Sequence, residues 1–181
     1  MNKKNYYVFD FDETIATLIV DWEGLRNKIQ NSYSKVLTVN KGLKKAYSEL
    51  KSHTIDFYKK VEEYELPNGS PQYKFNNKLR IFLKQNNYSI ISNNLRKTIE
   101  TVLKKENVFH TCDSIVSLEE CEEIKPSKKP FEHLLEKMNK LQTKNIIYVG
   151  DSDIDRQFAE NNNIQFIHIN DFEAENENTT S

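Results

Sequence analysis

From residue 88 onward, short, mostly apolar runs alternate with segments of helical period, and few architectures satisfy that alternation. The runs cover 88–91, 114–116, 145–149 and 165–169, with a fifth near the start at 6–9. Runs without polar alternation read as strands buried on both faces, as in a parallel sheet. Between them, "LRKTIETVLKK" places Leu95, Ile99 and Val102 on one face. "PFEHLLEKMNKL" does the same with Phe131, Leu134, Leu135, Met138 and Leu141. Apolar residues three and four apart make an amphipathic helix. The resulting β-α-β-α-β-α-β order predicts an α/β fold with a doubly wound parallel sheet.

Residues 20 to 85 read differently, as helical stripes with no strand. The stripes are Trp22/Leu25/Ile29/Tyr33, Leu43/Ala46/Tyr47/Leu50, Phe57/Val61/Tyr64 and Phe75/Leu79/Phe82/Leu83. "LPNGSPQ" at 66–72 is the strongest breaker in the chain. The expected division is therefore a discontinuous core, 1–16 and 72–171, interrupted by an all-α cap, 17–71. The tail from 172 to 181 is polar, acidic and aperiodic, and is expected to be disordered.

A formal net charge of −1 over 181 residues gives no footprint for nucleic acid or an anionic membrane. No run approaches a membrane span, and the apolar run near the start is too short for a leader, so a cytoplasmic location is expected. Cys112 and Cys121 fit neither a disulfide framework nor a metal spacing. His53, His110, His133 and His168 are dispersed, which argues against a histidine metal site.

The chemistry collects at the C-terminal ends of the expected strands, where open parallel sheets carry their functional groups. The first end carries Asp10, Asp12 and Thr14, the second Ser92 and Asn93. Lys125 lies in the connection after the third, and Asp151 and Asp155 follow the fourth. Carboxylates are costly to bury unless something neutralises them. Phosphoryl transfer needs an in-line nucleophile, cations to offset charge, and donors that hold the oxygens. A carboxylate can attack phosphorus, and oxygen ligands from two strand ends suit Mg²⁺. Ser92 and Lys125 supply donors. Each also has a plainer reading: Ser92 as a helix cap, and Lys125, beside Lys128 and Lys129, as surface charge. Trp22 and Arg26 could meet a substrate, although Trp22 shares its stripe with Leu25 and Ile29 and suits core packing better.

These residues together resemble the motifs of the haloacid dehalogenase-like superfamily. DxDxT matches Asp10, Asp12 and Thr14; the strand-closing Ser matches Ser92; the Lys-Pro context matches Lys125; GDSxxD matches Gly150, Asp151, Ser152 and Asp155. The helical insert sits where capped members, such as the phosphoglycolate phosphatase-like branch, carry a small helical cap. Glu13 stands where Gly is common, Lys128 where a second Pro often stands, and Asn163 where Gly usually ends the following helix. Asn enters the left-handed region more easily than most residues.

The resemblance implies a Mg²⁺-dependent phosphatase for a small phosphorylated metabolite, working through an aspartyl phosphate. It implies Asp10 as nucleophile and Asp12 as acid and then base. Thr14, Ser92, Asn93 and Lys125 would hold the phosphoryl group. Asp10, Asp151, Asp155 and the Asp12 carbonyl would form the metal site. A sugar-phosphate mutase would use the same residues, and a non-catalytic binding protein could use the same core. A response-regulator receiver also has an acidic pocket, but its phosphoacceptor follows the third strand, unlike Asp10. The substrate and the oligomeric state are left open by the sequence.

Overall fold

The computed structural model describes residues 4–32, 54–121, 123–138 and 145–177. In chain order its elements are β1 (Asn5–Phe9), β2 (Ala16–Leu18), α1 (Trp22–Ser32), α2 (Thr54–Glu65), β3 (Tyr73–Phe75), α3 (Arg80–Gln85) and β4 (Tyr88–Ile91). Then follow α4 (Arg96–Lys105), β5 (Cys112–Val116), α5 (Lys129–Lys137), β6 (Asn145–Gly150), α6 (Asp153–Asn161), β7 (Gln165–His168) and α7 (Ile169–Glu177). Five strands form a parallel sheet in the order β5-β4-β1-β6-β7. The expected doubly wound sheet is present, and strand order reverses at β1, where open α/β sheets form a crevice beyond the C-terminal strand ends.

The two-residue period of β1 sorts the core into two layers. Tyr7 and Phe9 face Leu83, Ile99, Val102, Leu103 and Phe172 of α3, α4 and α7. Tyr6 and Val8 face Leu134, Phe158 and Ala159 of α5 and α6. α6 ends as the sequence suggests: Asn163 takes φ 53°, and the Ile164 N–H donates to the Ala159 carbonyl. That is the left-handed helix stop for which glycine is otherwise used.

Three expectations are corrected. Residues 20 to 85 do contain a strand: β3 pairs antiparallel with β2, Ala16 opposite Phe75. Phe75 therefore belongs to a ribbon, and the helix it was expected to share begins only at Arg80. Strands of three residues are too short to display a period, and their pairing is non-local. The division expected after residue 16 falls inside β2. The tail also differs, since α7 runs through Glu177 and Phe172 is buried in the core. One aromatic at the right place outweighs a polar composition.

Of the insert, α1 buries Leu25 and Ile29, and α2 buries Phe57 and Val61. These pack with Leu95, Leu118 and Ile124, which follow the C-terminal ends of β4 and β5. The helices thus lie against the edge of the sheet that carries the candidate site. Trp22 packs against both this cluster and the main core. Tyr33, the stripe from Leu43 to Leu50, and Leu141 lie outside the described residues. Among the described residues no helix is long and apolar enough to cross a membrane.

Candidate active site

The central position of β1 puts its end between the ends of β4 and β6. The Asp10 N–H donates to the Val149 carbonyl at 2.8 Å, which extends the β1–β6 ladder by one residue. Asp10 is thereby held beside the loop that carries Asp151. Carboxylate oxygens of Asp10, Asp151 and Asp155 all lie within 4.8 Å of one another. Lys125 is no surface charge. It is only 4% exposed, and its Nζ lies 2.7 Å from Asp10 Oδ1 and 2.6 Å from Asp155 Oδ1.

Asp155 is fully buried by a local device and a distant one. Ser152 opens α6 with a capping box: its Oγ accepts from the Asp155 N–H, and Asp155 Oδ2 accepts from both the Ser152 N–H and Oγ–H. Gly150 makes room for this. A Cβ there would sit 2.6 Å from Asp155 Cγ, so a side chain is excluded by close approach. The other Asp155 oxygen takes the Lys125 ammonium.

The electrostatics follow from this sharing. Burial raises the Asp10 carboxyl, with Lys125 opposing and Asp155 reinforcing the rise. Burial also raises Asp155, but the Lys125 charge and hydrogen bond outweigh it and leave Asp155 below the usual range. Asp151 is raised by burial and then by the Asp155 charge. Burial pushes Asp12 up to about 6, against a hydrogen bond from the Leu18 N–H to its Oδ1 at 2.8 Å.

Three carboxylates face one ammonium here, which leaves two negative charges unbalanced. Asp10 Oδ1, although ion-paired, is buried without an aligned hydrogen bond. A hard divalent cation with oxygen ligands fits both features. Asp10 and Asp151 are the carboxylates that could hold it, while both Asp155 oxygens are taken by Lys125 and Ser152.

Other expected residues take the following places. The Thr14 hydroxyl donates to Asp151 Oδ1 at 3.3 Å, so here it orients that carboxylate. Ser92 is buried and gives its hydrogen to Asn94 Oδ1 at 2.7 Å. Asn93 Oδ1 accepts the Lys125 N–H at 3.3 Å, tying the β4 end to the lysine loop.

Four neighbours were not legible as site residues. Tyr148, in the middle of β6, presents its Oη to Lys125 Nζ at 3.0 Å. His168 Nδ1 accepts from the Asn170 N–H, so its Nε2–H points at the Asp151 carbonyl, 3.0 Å away. Asn94 contacts Ser92, and Glu65, at the end of α2 in the insert, contacts Asn94. The first two sit in strand patterns that explain them fully as packing. The last is one acidic residue among many on a helix.

A family model described as haloacid dehalogenase-like hydrolase matches residues 7–169. No curated protein sequence matches the chain. Among solved structures, one from Bacteroides fragilis, described as a haloacid dehalogenase-like hydrolase, is 23% identical with a TM-score of 0.63. The match covers 91% of this chain and 86% of that one. A predicted phosphoglycolate phosphatase from Haemophilus somnus is 17% identical with a TM-score of 0.62, covering 93% and 86%. The HAD-hydrolase YfnB of Bacillus subtilis, solved bound to magnesium, is 16% identical with a TM-score of 0.52, covering 92% and 88%.

Proposed function

The chain belongs to the haloacid dehalogenase-like hydrolase family, and from there we propose that it is a Mg²⁺-dependent phosphatase acting on a small phosphorylated metabolite. The observation that carries this reading is the pairing of Asp10 with Lys125 inside a cluster two charges short of neutrality. A lone acidic pair at a strand end would need no buried ammonium. A carboxylate that must stay anionic, face a phosphate and then carry it does need one.

Asp10 attacks phosphorus in line, and the bond to the leaving oxygen breaks as the aspartyl phosphate forms. Asp12 supplies the proton to that oxygen. Its raised pKa, about 6, keeps a useful fraction protonated near neutrality. Asp12 then takes a proton from water, which attacks the aspartyl phosphate and releases inorganic phosphate. Ser92 and the Asn93 N–H hold phosphoryl oxygens. Lys125 favours the anionic form of Asp10 against its burial and meets the transferred group from the same side. Mg²⁺, held by Asp10, Asp151 and the Asp12 carbonyl, would offset charge on the phosphoryl oxygens. A phosphoglycolate phosphatase-like solved structure and a magnesium-bound one share the fold and support the reading.

The test is release of inorganic phosphate from a panel of sugar phosphates, phosphoglycolate and nucleotides, with Mg²⁺ and with excess EDTA. Turnover that disappears in EDTA, and in Asp10→Asn with unchanged circular dichroism, is the expected result. A phosphorylated isomer with no free phosphate would mean a mutase instead.

A further inference from the structure

A serine hydroxyl has one hydrogen to give, and here Ser92 has already given it. Ser92 Oγ donates to Asn94 Oδ1 at 2.7 Å. Asn94 is only 5% exposed, and its orientation is fixed from the far side, where Nδ2 donates to Glu65 Oε1 at 3.0 Å. Glu65 is 1% exposed and comes from α2 of the insert; its other oxygen accepts the Leu95 N–H at 3.1 Å, just ahead of α4. The carboxylate therefore caps a core helix and closes a directed chain, Ser92 to Asn94 to Glu65. An acceptor-only group at position 65 forces the amide to present its oxygen to Ser92.

We infer that Glu65 is a positioning residue by which the insert sets the direction of the Ser92 hydroxyl, acting through Asn94. With the carboxylate seated, the Ser92 hydrogen is held by Asn94, and a phosphoryl oxygen must compete for it. A neutral donor at position 65 reverses the chain. A glutamine can accept the Leu95 N–H with its oxygen and donate to Asn94 Oδ1 with its amide. Asn94 Nδ2 then turns to Ser92 as a donor, and the Ser92 hydrogen is free for phosphate. The same reversal follows if Glu65 carries a proton, and burial pushes this carboxyl up to about 7. The groups facing it are Asn94, the Leu95 N–H, the Thr98 hydroxyl and, through charge alone, Asp12. The linkage rests on the reading of Ser92 as a phosphate ligand.

The experiment is a double-mutant cycle on wild type, Glu65→Gln, Ser92→Ala and the double variant. Its readout is binding of inorganic phosphate with Mg²⁺ at one fixed pH, by calorimetry. Glu65→Gln is expected to tighten phosphate about five-fold, the worth of one ordinary hydrogen bond. It is expected to change nothing when Ser92 is already alanine. Asn94→Ala removes the competing acceptor and should tighten phosphate in the same Ser92-dependent way, which keeps the test open if Glu65→Gln does not fold. A merely structural Glu65 would weaken binding, and equally in both backgrounds; that result overturns the linkage. So does binding that depends on Ser92 and ignores both Glu65 and Asn94, which leaves the site assignment standing. Phosphate that binds equally with and without Ser92 removes the site assignment, and the linkage with it.

Discussion

Tyr148 Oη accepts a hydrogen bond from Lys125 Nζ at 3.0 Å while standing 2.9 Å from the Ile91 carbonyl, to which it donates. Lys125 thus has three partners: Asp10 by ion pairing, and Asp155 and Tyr148 by hydrogen bonds. The tyrosine is the neutral one, and it joins the end of β4 and the middle of β6 to the lysine. Removing its hydroxyl leaves a buried carbonyl and a buried ammonium each one bond short.

Tyr148→Phe should therefore fold and cost about 1–3 kcal/mol in stability, the penalty for stranding buried polar groups. Two carboxylates still hold the ammonium, so turnover should fall by only about ten-fold. Chemical denaturation and steady-state kinetics would check both. A fall in turnover as deep as that of Asp10→Asn would place Tyr148 among the reacting groups.

Lys125→Met removes the charge that balances Asp10 and Asp155. Breaking a buried ion pair from one side costs about 3–5 kcal/mol. The sign with pH is definite. Without the ammonium, burial and mutual repulsion raise both carboxyls above their unfolded values. Such groups stabilise the fold at low pH and lose that contribution as pH rises through the folded pKa. In Mg²⁺-free buffer the variant should thus gain stability relative to wild type between about pH 7 and pH 5. A difference between the two proteins that stays flat over this range would mean the carboxylates do not depend on Lys125.

Glu13 sits at φ 58°, where glycine is free and a side chain is strained. Its carboxylate accepts from Thr17 Oγ1 at 3.2 Å on the surface, a weak return. Glu13→Gly should raise stability by up to about 1 kcal/mol, since relief of strain outweighs the added freedom of the unfolded chain. A clear drop in melting temperature would show that the Thr17 contact matters more than the backbone.

Phe172 marks the limit of what composition reveals. Its ring lies 5.2 Å from Tyr7, 5.5 Å from Phe9 and 5.0 Å from Phe82, all near edge-on. Phe172→Ala should cost about 3–5 kcal/mol. Loss of less than 1 kcal/mol would return the tail to disorder.

The strands, the order of the motifs and the residues at the strand ends were legible because each rests on local pattern: apolar runs, helical period, a serine or aspartate at a boundary. The β2–β3 ribbon was not, because Ala16 meets Phe75 across a long stretch of intervening chain and neither strand is long enough to alternate. Glu65, Asn94 and Tyr148 were missed for a related reason. Tyr148 reads as one more aromatic in a buried strand, and only the fold shows its hydroxyl at Lys125. Glu65 reads as helix surface, and only tertiary packing buries it against α4. Residues that act on other residues leave no spacing of their own.

Asp12→Ala should separate the two half-reactions. In the first, Asp12 gives a proton to the leaving oxygen; in the second it takes one from water. Help of this kind is worth about 10²–10⁴ in rate. An aryl phosphate has an acidic leaving group and needs little protonation, so transfer to Asp10 should survive better than with an alkyl phosphate. Hydrolysis of the aspartyl phosphate no longer involves the leaving group, so it should be slow with either substrate. The Asp12 carboxylate also holds the Leu18 N–H, at the start of the insert, so the alanine variant needs its fold checked by circular dichroism. With p-nitrophenyl phosphate the folded variant should release a burst of phenolate of about one equivalent and then stall with phosphate on Asp10, detectable by mass spectrometry after acid quench. Equal losses for aryl and alkyl substrates, with neither burst nor adduct, would show that Asp12 only organises the loop and the metal.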